Sequence, residues 1–438
     1  MSISIRTLLK HSSYLFMGSM GSMVLRLVQN ILVARALGPS QLGAWSTIVS
    51  FCSIIQAFSS FRTQEALTKY LVEFKTNKED AKLELLLATA MIIDIGTALL
   101  AVIVVTLLAP FVASNLTQGE GKPILFLLYA ISFLSNSFNN TWYCVARDLR
   151  QLGKQSLRQI ILTVLQVIGV VLLYAVGNLT IYSLALLIAF NSIINFISVF
   201  FFLAPELKKG YNIDILDLPW TSYGKSFKEL KEFWHFLSYT YVSTTFSGII
   251  KNVDIIMLGR FSTNFDVGIY QLAKSLTSVV QIAIQSLASV VYQDFNELIA
   301  HKKSNIILNE LLKISKKLIS LQIIITVIIL YFAPTIIKLI YGENFIATYP
   351  IFAIFMIDAF VGAFLFWSQS LVISLKGYVY KLKVTIYSIV IYFILIALLT
   401  PTFASIGMAI AYSITFVGVN LAFAVKSISM LKKMNGKL

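Results

Sequence analysis

The sequence predicts an all-α integral membrane protein with 12 transmembrane helices. They form two six-helix bundles related by a pseudo-twofold along the membrane normal. Composition, the spacing of apolar runs and a repeat between the halves lead to that fold class. Of 438 residues, 58% are apolar and 13% charged, against about 45–50% and about 25% in soluble domains. A water-soluble surface needs more charge than this chain supplies. A disordered chain, a disulfide scaffold and a soluble enzyme are therefore excluded. The two cysteines, Cys52 and Cys144, sit in apolar stretches and read as packing residues.

A bilayer-crossing helix needs about 20 mostly apolar residues. Taken in order, the runs lie at roughly 12–36, 42–64, 83–108, 123–145, 157–176, 179–203, 237–259, 267–291, 317–340, 348–373, 382–400 and 404–425. The first has a basic start but outruns a signal peptide and lacks a small-residue cleavage site, so it reads as a retained span. Short breaks rich in Gly, Pro and Ser, such as LGPSQLG at 37–43, alternate with basic ones, such as TKYLVEFKTNKEDAK at 68–82. Of the 35 Lys and Arg, 27 fall on the N-terminal side and three (Lys122, Arg260, Lys338) on the other. That asymmetry puts both termini in the cytoplasm. The net charge of +15 is thus mainly a topology signal, and a nucleic-acid partner is not expected.

The longest break separates an N-terminal lobe, 1–205, from a C-terminal lobe, 237–438. The linker, 206–236, ends in SFKELKEFWHFLSY. There Phe227, Leu230, Phe233, Trp234 and Leu237 share helical spacing between lysines, as in an amphipathic helix on a membrane surface. Shifting the second half by 225 residues lays GRFSTNFDVGIY (259–270) on ARALGPSQLGAW (34–45). Arg35 then meets Arg260, Gly43 meets Gly268, Arg26 meets Lys251 and Gln56 meets Gln281. An even number of spans per half implies a parallel repeat, with a cavity between the lobes.

Polar residues inside the spans form stripes. Arg26 and Asn30 share a face of span one, Gln56 lies on span two, and Lys251 and Asp254 share a face of span seven. On span eight Lys274, Gln281 and Gln285 fall on one side at 100° per residue. Span four adds Asn136, Asn139 and Asn140. A serine stripe alone can simply pack helices. A base in the same stripe costs about 2.5–3.5 kcal/mol to insert, which favours a functional or paired role. Lys251 has a competing role, a helix pair with Asp254 three residues on. Asp94, Asp254 and Asp358 are candidate ion-coupling carboxylates. Phosphate-loop and metal-protease patterns do not occur, and GEGKP at 119–123 lacks the phosphate-loop spacing. No cofactor, metal or catalytic residue is expected.

The hairpin ARALGPSQLGAWS and its looser copy LGRFSTNFDVGIYQLAKSL resemble the polysaccharide-transporter branch of the MOP superfamily. The likeness extends over essentially the whole chain through the six-plus-six duplication. It implies an inner-membrane flippase of O-antigen (Wzx) type. Such proteins move undecaprenyl-pyrophosphate-linked oligosaccharide to the outer leaflet by alternating access. The resemblance also implies membrane lipids, a polysaccharide polymerase and a chain-length regulator as partners. Related lipid II flippases carry basic residues on spans one, two and eight of a cationic cavity, the spans where Arg26 and Lys274 stand here. They have fourteen spans where this chain has twelve, and Arg62 lies off the polar face of span two. Arg26, Lys251 and Lys274 would hold the diphosphate, and Asn30, Gln56, Gln281 and Gln285 the sugars. The alternative is a cation-coupled multidrug or small-solute exporter on the same scaffold. A membrane-embedded polymerase would need a large outer loop, and the outer breaks are short.

Overall fold

The computed structural model describes residues 5–61, 63–220, 223–281, 304–375 and 377–435. Every regular element among them is helical. The first half contains α1 (Ile5–Ser59), α2 (Thr63–Thr76), α3 (Asp80–Leu116), α4 (Pro123–Asn136), α5 (Asn139–Asp148), α6 (Leu152–Ala175) and α7 (Ile181–Tyr211). The short α8 (Tyr223–Glu229) follows, then α9 (Lys231–Ile250), α10 (Val253–Phe261) and α11 (264–281). After 303 come α12 (Ser304–Tyr341), α13 (Thr348–Phe364), α14 (Ser368–Ser374) and α15 (Tyr378–Asn435).

Two of these helices are pairs of arms. Gly38, at φ 70° and ψ 174°, breaks α1 just before Pro39, and Ala404 breaks α15 at φ 47°. Counting arms, and joining α4 to α5, α9 to α10 and α13 to α14, gives the twelve spans. Exposed apolar side chains such as Leu172, Phe190, Phe201, Val327 and Tyr331 give the long helices faces suited to lipid.

Three spans are discontinuous. Span four is interrupted at 137–138, span seven at the turn 251–252, and span ten between α13 and α14, with a 41° bend. The 225-residue shift carries the first of these breaks to within about three residues of the last. Irregular backbone at membrane depth survives only where protein or a wet cavity satisfies it. The fourth span of each half is built around such a break.

The chain divides into two compact units, Met1–Leu37 with Thr47–Ile256, and Gly38–Ser46 with Met257–Leu438. In the first, Trp142 of α5, Leu86, Leu87 and Met91 of α3, and Leu203 and Leu207 of α7 form a buried core with α2. Leu230, Phe233 and Leu237 are buried in that core, whereas Phe227 stays exposed. The apolar face expected to lie on a membrane therefore mostly packs on protein. Helix α9 continues the contact, since the Tyr241 hydroxyl donates to the Phe58 carbonyl at 2.6 Å and its ring stacks on Phe61 at 4.6 Å. The stretch 237–256 belongs to the first compact unit.

One end of this unit is pinned by polar contacts. Asp148 Oδ2 accepts from Lys75 Nζ and from the Tyr211 hydroxyl, each at 2.5 Å. Hydrogen bonds to a charged group contribute about 1.5–3 kcal/mol. Asp148→Ala is therefore expected to lower stability by about that amount, read as a drop in the melting temperature of the detergent-purified chain. An unchanged melting temperature would show the pin to be ornamental.

In the second unit, Gly43 and Gly268 lie where the two copies of the hairpin meet. A Cβ on Gly43 would stand 1.8 Å from the Asn264 carbonyl oxygen, and one on Gly268 would stand 1.9 Å from the Pro39 carbonyl oxygen. The shift of 225 maps Gly43 on Gly268 and Pro39 on Asn264. The contact is reciprocal, as a duplicated pair packed about a local twofold requires.

Candidate functional site

The break in span four organises two polar cavities within the first unit. Asn139 and Asn140 are the first residues of α5, directly after the interruption, where buried Phe138 is anchored by Phe200 and Phe196 at ring distances of 4.7 and 5.6 Å. Adjacent residues on a helix point about 100° apart, so the two amides serve different sites.

Asn140 serves Asp94. This carboxylate is buried on α3, and the Thr63 hydroxyl stands 2.9 Å from both of its oxygens. The Asn140 amide donates to Oδ2 at 3.4 Å. All the partners are neutral. The site opens on a cavity of about 270 Å³ lined by Gln56, Gln64, Glu65, Ser137, Asn139 and Asn140 among others.

Asn139 serves Arg158, in the second turn of α6, which is 4% exposed. Arg158 Nη2 donates to Asn139 Oδ1, and Nη1 to Asn195 Oδ1 at 2.7 Å and Ser198 Oγ at 3.2 Å. Gln155 Oε1 accepts from Nη2 and Nε at 3.2 and 3.4 Å. Helices α5, α6 and α7 thus hold the guanidinium through amide and hydroxyl oxygens, without a carboxylate. It faces a chamber of about 440 Å³ whose wall includes Arg26, Ser132, Gln159, Thr163, Gln166 and Asn191 and, among the described residues, no acidic one. Asn139 lines both cavities.

Residues 8–292 match the polysaccharide biosynthesis protein family. That is more than half of the sequence. The chain belongs to that family.

The fold has the same character. A lipid II flippase, MurJ, in an inward closed conformation superposes with a TM-score of 0.74 at 15% identity, covering 96% of this chain and 89% of that one. An inward-facing multidrug resistance transporter of the MATE family superposes at 0.72 with 14% identity, covering 95% and 96%. A MOP superfamily transporter from Pyrococcus furiosus, described as having a binding pocket of reverse polarity, gives 0.58 at 13%, covering 98% and 96%. No curated relative matches the sequence. This member of the polysaccharide biosynthesis family therefore has the fold of MOP-type transporters.

Within that fold the expected site residues are spread over both units. Arg26 lines the Arg158 chamber, while Asn30, one turn on, is exposed and does not. Gln56 lines the Asp94 cavity. Lys251 lies in the turn between α9 and α10. Asp254 is buried at the start of α10, and its Oδ1 accepts the Ile255 N–H at 2.9 Å. In the second unit Lys274 and Gln281 are half-buried on α11. Asp358 is fully buried on α13 and accepts the Ser413 hydroxyl at 2.9 Å. Gln285 and Arg62 lie outside the described residues.

The principal residue missed by sequence reading is Arg158. It is counted with the cytoplasmic loop bases although it stands second in the run drawn at 157–176; α6 starts at Leu152 and puts it in the second turn. The signal was present: Gln155, Arg158, Gln159, Thr163 and Gln166 form an acid-free stripe at helical spacing.

Proposed function

We propose that this transporter is a flippase for a lipid-linked oligosaccharide. It moves undecaprenyl-pyrophosphate-linked repeat units from the cytoplasmic to the outer leaflet by alternating access, for O-antigen, capsule or exopolysaccharide synthesis. The observation that carries the reading is the polar lining of the larger cavity: among the described residues, amides, hydroxyls and two guanidinium groups, without an acid. Amides and hydroxyls suit sugar hydroxyls, and guanidinium forks suit phosphate oxygens. A cationic drug would be repelled there. Arg26, Lys251 and Lys274 are proposed diphosphate contacts, and Asn30, Gln56, Gln281 and Gln285 sugar contacts. Asp94, Asp254 and Asp358 are proposed coupling carboxylates.

The proposed setting is a bacterial inner membrane with both termini cytoplasmic, lobes at 1–205 and 237–438, and handover to a polymerase and a chain-length regulator. A second reading, export of a cationic solute, draws on the smaller cavity, where Asp94 and Glu65 supply negative charge.

Deletion of the gene in its source organism, complemented by Arg26→Gln or Lys274→Gln, separates these readings. A flippase loses surface polysaccharide on deletion and accumulates lipid-linked repeat units in the inner leaflet. Each variant is expected to restore less than about a tenth of the wild-type polymer, since removing one charged partner costs about 2–5 kcal/mol. Full polysaccharide in the deletion strain, with new sensitivity to cationic drugs, sinks the flippase and favours export.

A further inference from the structure

We infer that Arg158 is the centre of an oxyanion-binding site contained within the first compact unit. The inference deepens the flippase reading and rests on it for the ligand class: a phosphate or carboxylate group borne by a hydroxyl-rich molecule. The argument starts from charge. A guanidinium inside a membrane protein is costly, and residues of this kind pair with an opposite charge or face a wet cavity. Arg158 is nine-tenths buried, and its partners are the neutral oxygens of Asn139, Gln155, Asn195 and Ser198. Those five bonds occupy all five N–H groups of the fork and leave its charge uncompensated among the described residues.

The surroundings add to that charge. Arg26 supplies a second guanidinium to the same wall, and no carboxylate among the described residues lines the chamber. Asn191 donates to Gln166 at 3.2 Å, while its own Oδ1 is buried without a partner, an acceptor suited to a ligand hydroxyl. The volume of about 440 Å³ is within the range of small-ligand sites, about 300–1,000 Å³. A rigid, desolvated cation beside unmet hydroxyl-binding groups selects an anion on a polar body. The charge of Arg158 would draw the oxyanion into the chamber, Arg26 would hold it, and the Gln159, Gln166 and Asn191 amides would hold the body.

The oxyanion has two possible sources, the diphosphate of the lipid carrier and a carboxylate on a sugar. The full chain in nanodiscs is titrated with inorganic pyrophosphate, glucuronate and glucose, with sodium chloride at matched ionic strength as control, and ligand-induced melting shifts are read. Pyrophosphate or glucuronate is expected to stabilise the wild type well beyond chloride and glucose. Saturation by pyrophosphate alone assigns the diphosphate, and saturation by glucuronate assigns an acidic sugar. Arg158→Gln is expected to weaken the active probe at least tenfold. Because loss of Arg158 removes bonds between three helices and can impair folding, Gln159→Trp provides an independent variant. It fills the chamber without touching the partners of Arg158 and is expected to abolish binding. Wild-type affinity in folded Gln159→Trp, or no response of the wild type beyond chloride, overturns the site. If polysaccharide export nevertheless depends on the gene, the flippase stands without it. If binding holds while the deletion strain keeps its polysaccharide, the site stands and the flippase reading fails.

Discussion

Alanine at Gly43 or at Gly268 is expected to cut surface polysaccharide to a tenth or less, whereas alanine at Gly418 leaves it unchanged. The three substitutions add the same methyl group to glycines in helical segments and differ in what that group meets. At Gly418 nothing lies within 4 Å. At Gly43 and Gly268 it would overlap a carbonyl oxygen of the other hairpin, at 1.8 and 1.9 Å, where non-bonded heavy atoms settle at about 3.5 Å. Backbone is on both sides, so a rotamer change cannot relieve the clash and the hairpins must part by more than an ångström. Overpacking of this kind costs about 1–3 kcal/mol and sometimes more. About 2.7 kcal/mol is a hundredfold shift in a two-state equilibrium. An alternating-access cycle that passes through this packing would lose that population.

The double variant makes the argument sharper. Once the hairpins have parted for one methyl group, the second finds the space already open. Gly43→Ala with Gly268→Ala should then be no worse than the worse single variant, the non-additivity expected of a shared contact. Strictly additive losses, or normal export from both singles, would show that the close approach does not matter to the cycle.

This contact was legible in the sequence as a coincidence of register, Gly43 over Gly268 under one shift of 225 residues. What the shift could not provide was the reason, because two glycines in register can serve two separate turns. The transmembrane count was legible because about 20 apolar residues leave a trace that short-range context cannot hide. The interruptions of spans four and ten were not. They fall at Ser137-Phe138 and at Leu365-Phe366-Trp367, without a proline or glycine in either, and they are stabilised by packing such as that of Phe138 on Phe200. Arg158 was hidden by its place, second in the run drawn from 157 and so counted as a loop charge, whereas α6 begins a full turn earlier at Leu152. The apolar face of 227–237 was hidden by a true ambiguity. Helical spacing of Leu230, Phe233 and Leu237 is the same whether the face meets lipid or the core of a neighbouring bundle.

Asp94→Asn is expected to remove the dependence of transport on the ion gradient and to lower export at least tenfold. Asp94 is buried beside Thr63 and Asn140, and among the described residues its oxygens accept from neutral donors. A bare carboxylate at that depth costs about 2.5–3.5 kcal/mol even on the mildest insertion scales. A proton or a small cation entering through the adjoining cavity would relieve that cost, and its arrival and departure give a gradient something to act on. The link to cargo is short, because Asn140 reaches Asp94 and the next residue, Asn139, reaches Arg158. Asparagine keeps the shape of the side chain and still accepts from the Thr63 hydroxyl, so the fold is expected to survive with only the charge lost. Export is measured in cells with the proton or sodium gradient collapsed in turn. The wild type should fall under one of the two treatments, and the variant, already low, under neither. Asp358→Asn is the matched comparison, since Asp358 is a buried carboxylate with a single hydroxyl donor, Ser413, in the second unit. If Asp358→Asn becomes gradient-insensitive and Asp94→Asn does not, coupling resides in the second unit and the asparagine pair in span four serves packing alone. If Asp94→Asn alone becomes insensitive, the carboxylate that takes the ion and the guanidinium facing the chamber are joined by two consecutive amides, a linkage that needs no movement between lobes to transmit its first step.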